Sequence, residues 1–125
     1  MRQFLVVFLG GGLGSTSRYF LGKYISDRFP SSLPLGTLTV NVCGCFVLGL
    51  ILAIAEKQRW NPHWILLWGV GFCGGFTTFS TFAWENYRFL RNSNYENISL
   101  YILLSLGAGL LAVALGILGA NLLKR

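Results

Sequence analysis

Apolar residues run along the chain in four long stretches, separated by short polar connections. The stretches cover about Gln3 to Tyr24, Leu35 to Ala55, Trp64 to Trp84 (running on to about residue 90) and Ile98 to Leu123. A bilayer core about 30 Å thick is crossed by a helix of about 20 predominantly apolar residues. Each stretch therefore predicts one transmembrane helix, and residues 1–125 a single all-α integral membrane domain. The connections are rich in turn and polar residues. The first holds Ser26, Asp27, Arg28, Pro30, Ser31, Ser32 and Pro34, the second Glu56 to Arg59 with Asn61 and Pro62, and the third Arg91 to Asn94 with Glu96. Trp60, Trp64, Trp84, Tyr87, Tyr95 and Tyr101 cluster near the span ends, where interfacial aromatics sit.

Composition agrees. Hydrophobic residues make up 54% of the chain and charged residues 11%, against roughly 25% charged in a soluble domain. A soluble chain this small has too little interior to hide that much apolar surface. The net charge of +6 raises nucleic acid as a partner. The basic residues flank the apolar spans and form no stripe, which points to membrane topology instead. Three cysteines build no disulfide framework. Cys43 and Cys45 point to roughly opposite sides of a helix, Cys73 lies in another span, and no zinc spacing follows. Small apolar filler is their natural role.

Two motifs near the N-terminus mislead. Arg2, an apolar run and small residues imitate a signal peptide. No A-x-A-like cleavage site follows, and the apolar character resumes after Arg18. Gly10, Gly12 and Ser15 imitate a dinucleotide fingerprint, but the third glycine is replaced and no βαβ unit fits. Gly10 and Gly14 instead have the small-xxx-small spacing of closely packed membrane helices.

Topology follows the Lys/Arg bias between loops. The side bearing both termini and the second loop carries Arg2, Lys57, Arg59, Lys124 and Arg125, and the other side Lys23, Arg28, Arg88 and Arg91, with Arg18 near that end of span 1. Neither orientation wins. A chain without bias inserts both ways, and two copies then pair antiparallel. The alternative is one orientation fixed by a partner or by lipid. Four short helices enclose little, so a pore needs a second copy, and two-fold closure is the commonest arrangement of homo-oligomers. An antiparallel pair would match the inverted repeats of larger transporters.

Polar groups inside the hydrocarbon are expensive and mark function by default. Span 3 carries Gly69, Gly71, Gly74 and Gly75, then Phe76, Thr77, Thr78, Phe79, Ser80, Thr81 and Phe82. These are poor helix formers, and the expectation is a break at Gly74-Gly75, near the middle of the span. A continuous, glycine-packed helix is the alternative. Freed carbonyls at such a break suit a small cation. Phe76, Phe79 and Phe82 fall near one face, as lipid or core rings or as a path whose electropositive ring edges meet an anion weakly. Asn41 is the clearest polar residue of span 2, with Thr37 one turn before it. Tyr101, Ser105 and Gly109 recur every fourth residue on span 4. Arg18 either snorkels to the interface or draws anions into a vestibule. Glu85 is the only acid close to the expected break, and His63 stands alone in a loop. No Ser/His/Asp set, metal cluster or carboxylate pair is present, so enzyme function is not expected.

Gly74-Gly75-Phe76-Thr77-Thr78-Phe79-Ser80-Thr81-Phe82 resembles the signature of the Fluc (CrcB-like) family of fluoride channels. Span 1 adds Gly10-Gly11-Gly12-Leu13-Gly14 followed by Arg18, and span 2 adds Gly36-Thr37-Leu38-Thr39-Val40-Asn41. The resemblance covers the whole chain. It implies an antiparallel dual-topology homodimer in the bacterial cytoplasmic membrane, giving passive fluoride efflux that lowers cytoplasmic fluoride. It implies a fluoride pathway of Phe79, Phe82, Asn41, Ser80, Thr81, Tyr101 and Ser105, with Arg18 in the vestibule. Gly109 stands where some members carry a serine. A structural sodium ion at the dimer interface is implied as well, held by the backbone carbonyls of Gly74 and Thr77. The rival reading, a small dual-topology multidrug exporter, calls for an intramembrane acid that span 1 lacks.

Overall fold

The structure, a computed structural model, describes residues 1–123. Lys124 and Arg125, which enter the charge count above, lie outside the described residues. Helix α1 spans Arg2–Arg28, α2 Leu35–Gln58 and α6 Tyr95–Leu122. The third span is built in pieces: α3 (Pro62–Ile65), a π-helical stretch Leu66–Cys73, α4 (Gly74–Phe76) and α5 (Phe79–Arg91). All four spans are long and apolar enough to cross a membrane. Phe4, Phe8, Phe20, Leu103 and Leu110 turn outward and are more than half exposed. An apolar exterior of this extent belongs in lipid, and the protein is a multi-pass integral membrane protein.

The helices outrun their apolar stretches. Residues 26–28, read from sequence as part of the first connection, continue α1. Lys23 and Asp27 pair at 2.9 Å one turn apart on that extension, and Pro30 lies just beyond the helix end. Span 4 begins at Tyr95 rather than Ile98, where the Asn94 side chain accepts the Asn97 N–H and caps the helix. Short connections therefore place the N-terminus, the second loop and the end of α6 on one face, and the first and third loops on the other.

Two glycine seams hold the bundle. Gly10 and Gly14 of α1 are buried, as their spacing predicts. A Cβ on Gly14 would strike the Phe72 carbonyl, and one on Gly75 would come within 2.5 Å of the Gly11 carbonyl. Helix α1 thus lies backbone to backbone on the first half of the third span. The second seam joins α2 to α6, where Gly49 meets the Val113 backbone and Gly116 the Phe46 backbone. Close approach of this kind replaces the hydrophobic drive that lipid removes.

The interruption of the third span is real, but it does not fall at Gly74-Gly75. Gly74 has helical angles (φ −64°, ψ −35°), and the backbone turns extended at Thr77 (φ −83°, ψ 159°) and Thr78 (φ −147°, ψ 118°). Both glycines stay helical: Gly75 is pressed against the Gly11 backbone of α1, whereas Gly74 faces open space with nothing near a Cβ position. The chain leaves the helix where side chains are ready to take over its backbone hydrogen bonds. The π-helical stretch just before is a form seen mostly as single turns, often at functional sites.

Candidate functional site: the interrupted third span

Backbone polar groups freed inside a membrane need partners, and the interruption has them on three sides. Thr77 turns both its N–H and its hydroxyl back to the Cys73 carbonyl, each at 2.9 Å. The Thr78 N–H donates to Asn41 Oδ1 at 2.7 Å, and Asn41 Nδ2 donates to the Thr78 carbonyl at 3.1 Å. One amide side chain on α2 thus satisfies both backbone groups of the central extended residue, which also fixes which end of that amide is oxygen. Thr78 then caps α5: its Oγ1 accepts the Thr81 N–H at 3.2 Å and its hydroxyl donates to Thr81 Oγ1 at 3.0 Å. Ser80 Oγ lies 3.3 Å from Thr78 Oγ1. On the α1 side, Arg18 Nε donates to the Gly75 carbonyl at 3.1 Å, with Ser15 Oγ at 3.4 Å. Arg18 is therefore not simply snorkelling. Its charge sits at the carbonyl end of the first half-helix, the end that favours a cation.

These diversions free two other carbonyls. In an unbroken α-helix the Thr78 N–H would bond the Gly74 carbonyl and the Thr81 N–H the Thr77 carbonyl. Both donors are engaged elsewhere, by Asn41 and by Thr78 Oγ1. On the other side, the N–H groups of Phe79 and Ser80 open the first turn of α5 without helical acceptors. The interruption is thus bipolar, with an electronegative carbonyl end and, across two extended residues, an electropositive N–H end.

A half-open cavity of about 520 Å³ lies against it, lined by Asn41, Gly74, Thr77, Phe79, Phe82 and Ser105 among others. Phe79 is 78% exposed in the single chain. Its ring centroid is 5.9 Å from that of Phe82, which stands 5.1 Å from Tyr101. Phe76 differs: it is buried and stacks on Phe72 at 5.7 Å. Ser105 Oγ is buried without a partner among the described residues. Gly109 neighbours Cys45, with room for an added Cβ 3.7 Å from its sulfur. A second, smaller cavity of about 270 Å³ is lined by Arg18, Ser26, Thr37, Thr78 and Thr81.

Asn41, Phe79, Phe82 and Ser105 thus share the larger cavity with Gly74 and Thr77, whereas Thr81 lines the smaller one and Ser80 lines neither, reaching only the Thr78 hydroxyl. Tyr101 is drawn to one side. It is fully buried, and its hydroxyl donates to Glu85 Oε2 at 2.7 Å. The other carboxylate oxygen, Oε1, accepts the Thr37 hydroxyl at 2.7 Å. Sequence reasoning noted Glu85 for its nearness to the break but not as the link between spans 2 and 4. It named Thr78 among the hydroxyls of the run but not as the cap of α5, although Thr is a legible N-cap residue.

The fold and the site define a multi-pass membrane protein whose third span is interrupted near its middle and lined there with polar groups and phenylalanines. The family described as CrcB-like protein, Camphor Resistance (CrcB), matches residues 5–117. A protein from Gloeothece citriformis named fluoride-specific ion channel FluC is 49% identical over 117 residues, covering 94% of this chain and 95% of its own length. Proteins of the same name from Solibacter usitatus and Ignicoccus hospitalis are 42% and 41% identical. The first alignment covers 95% of this chain and 98% of the relative, the second 93% of each. The chain belongs to the CrcB-like family, as the run from Gly74 to Phe82 led us to expect.

Proposed function

We propose that this protein is a fluoride-selective channel, formed by two antiparallel copies in a bacterial cytoplasmic membrane and serving passive fluoride efflux. The observation that carries the reading is the bipolar interruption at Thr77-Thr78, set beside the exposed ring of Phe79. The relatives' shared name supports the choice of anion.

Fluoride is small and strongly hydrated. A bare apolar pore excludes it and a fixed full charge traps it, whereas conduction calls for weak binding at several sites. The ring edges of Phe79 and Phe82 are weak donors. They stand among the remaining amide hydrogen of Asn41, the hydroxyls of Ser80, Thr81 and Ser105, and the N–H end of α5, which favours anions. Tyr101 continues the line on α6, with its hydroxyl held by Glu85. Arg18, lining the smaller cavity, would draw anions toward it.

The pair is supported by the half-open cavity and by the near-equal basic residues on the two faces. Two copies facing each other across that cavity would cover Phe79 and bring together four freed carbonyls, from Gly74 and Thr77 of each chain. Hard oxygen donors of this type fit a sodium ion, which would neutralise the clustered carbonyl dipoles and join the two chains.

The test is fluoride efflux from liposomes holding the purified protein, read with an ion-selective electrode beside chloride efflux and uptake of a cationic dye. Rapid fluoride efflux with neither of the others is expected. Dye exchange without fluoride efflux would favour a small multidrug exporter, and no transport would favour a structural subunit.

A further inference from the structure

A third cavity, of about 240 Å³, lies at the far end of α5, lined by Ser31, Ser32, Glu85, Arg88 and Asn92. A hydrogen bond links its lining to that of the Arg18 cavity: Glu85 lines one, Thr37 lines the other, and the two side chains are bonded at 2.7 Å. The third span thus has two polar chambers, each with one arginine, separated by the Glu85–Thr37 pair.

Arg88 differs from Arg18 in being uncommitted. Arg18 is tied to the Gly75 carbonyl. Arg88 makes no salt bridge, Lys23–Asp27 being the one found among the described residues, and no side-chain hydrogen bond. Glu85, one turn before it, engages its two oxygens with Thr37 and Tyr101 instead. Ser31 Oγ accepts the Leu33 N–H at 3.2 Å, which leaves the serine's own hydrogen free to donate. The chamber therefore combines a guanidinium free of any salt bridge, serine hydroxyls, an amide and the Glu85 carboxylate, whose two oxygens already accept from Thr37 and Tyr101, and it opens where the first and third loops meet water.

We propose that this chamber is an anion-collecting antechamber at the mouth of the pathway, with Arg88 as its collecting charge for a small inorganic anion, fluoride above all. The inference rests on the channel reading given above. Arg88 attracts the anion from solution and raises its concentration beside Glu85. It does not bind the anion within the narrow part of the path.

A collecting charge acts over distance, so salt should switch it off. The Debye length is about 30 Å at 0.01 M ionic strength and about 3 Å at 1 M. Fluoride efflux from liposomes is measured at both extremes, using an impermeant salt, for wild type, Arg88→Gln, Arg88→Lys, Ser32→Asp and Arg91→Gln. At low salt Arg88→Gln and Ser32→Asp should slow efflux about threefold or more, within the range known for electrostatic focusing. At high salt both should match wild type. Arg88→Lys should conduct normally at both, and Arg91→Gln, whose side chain does not line the chamber but lies within a low-salt Debye length of it, should lose less at low salt than Arg88→Gln and nothing at high salt. Size exclusion checks assembly, and Ser32→Asp, an exposed loop change, tests the idea even if Arg88→Gln assembles poorly. Normal low-salt efflux in both Arg88→Gln and Ser32→Asp would overturn the proposal. So would a deficit that persists at high salt and is not rescued by lysine, the mark of a packing role. If wild type itself moves no fluoride, it is the channel reading that fails.

Discussion

Up to Phe76 the third span buries Gly69, Gly71, Cys73 and Phe76, whereas from Phe79 to Arg91 it buries no residue at all. The first half lies on α1 through glycines, with backbones too close for a Cβ. The second half is held by its cap, by Phe82 and Phe89 against Tyr101, and by Glu85 reaching Thr37 and Tyr101. One segment thus divides its labour. The first half is fixed by close packing and delivers its carbonyls to a set place. The second is fixed mainly by polar and ring contacts and leaves Phe79 uncovered. Between them, Asn41 does for Thr78 what the missing helical turn would have done.

The largest effect should come from breaking the packed half. Valine at Gly75 would drive its side chain into the Gly11 backbone. Overpacking costs roughly 1–3 kcal/mol and often more where backbone must move. Gly75→Val should yield little folded protein by size exclusion and no fluoride flux above empty liposomes. A well-behaved, conducting Gly75→Val would mean that the seam is looser than described.

Next comes the joint between the halves. Asn41→Leu removes both partners of Thr78, leaving two half-buried backbone groups unsatisfied at up to about 1–3 kcal/mol each. Asn41→Asp keeps an acceptor for the Thr78 N–H and loses the donor to its carbonyl. Thermal unfolding in detergent should rank wild type above the Asp variant and the Asp variant above the Leu variant, with fluoride flux falling in the same order. Equal stability across the three would contradict the clamp.

Four spans, their order and the presence of an interruption were legible because apolar length and glycine-plus-hydroxyl composition act locally. The place of the interruption was not. Gly74 and Gly75 read as breakers in isolation, but both stay helical, Gly75 packed on α1, and the helix ends only where Asn41, thirty-odd residues away in sequence, reaches Thr78. Asn41 itself stood out as a costly polar residue, though its partner lies in another span. Glu85 was hidden for the same reason: its partners Thr37 and Tyr101 sit on two different helices. Local propensity shows that a helix is weak, and only tertiary hydrogen bonding decides where it yields.

The smallest effect should come from Gly109→Ser on α6. An added Cβ there meets only the Cys45 sulfur, at ordinary contact distance. Substitutions free of packing conflict usually stay within about 0.5 kcal/mol. Stability should be unchanged, and fluoride flux should stay within about twofold of wild type, that energy being roughly a factor of two. A large loss would place that stretch of α6 in contact with the path.

The central claim is that the uncovered half of the third span carries the anion, and the two rings test it most directly. Isoleucine at Phe79 or Phe82 keeps bulk and apolarity while removing the electropositive ring edge. Fluoride efflux from liposomes, with size exclusion checking that assembly matches wild type, should be abolished or strongly reduced in both Phe79→Ile and Phe82→Ile. Replacement of the buried Phe76 should matter less for conduction in whatever dimer still forms. Normal efflux in both isoleucine variants would contradict the account and move the path to α2 and α6.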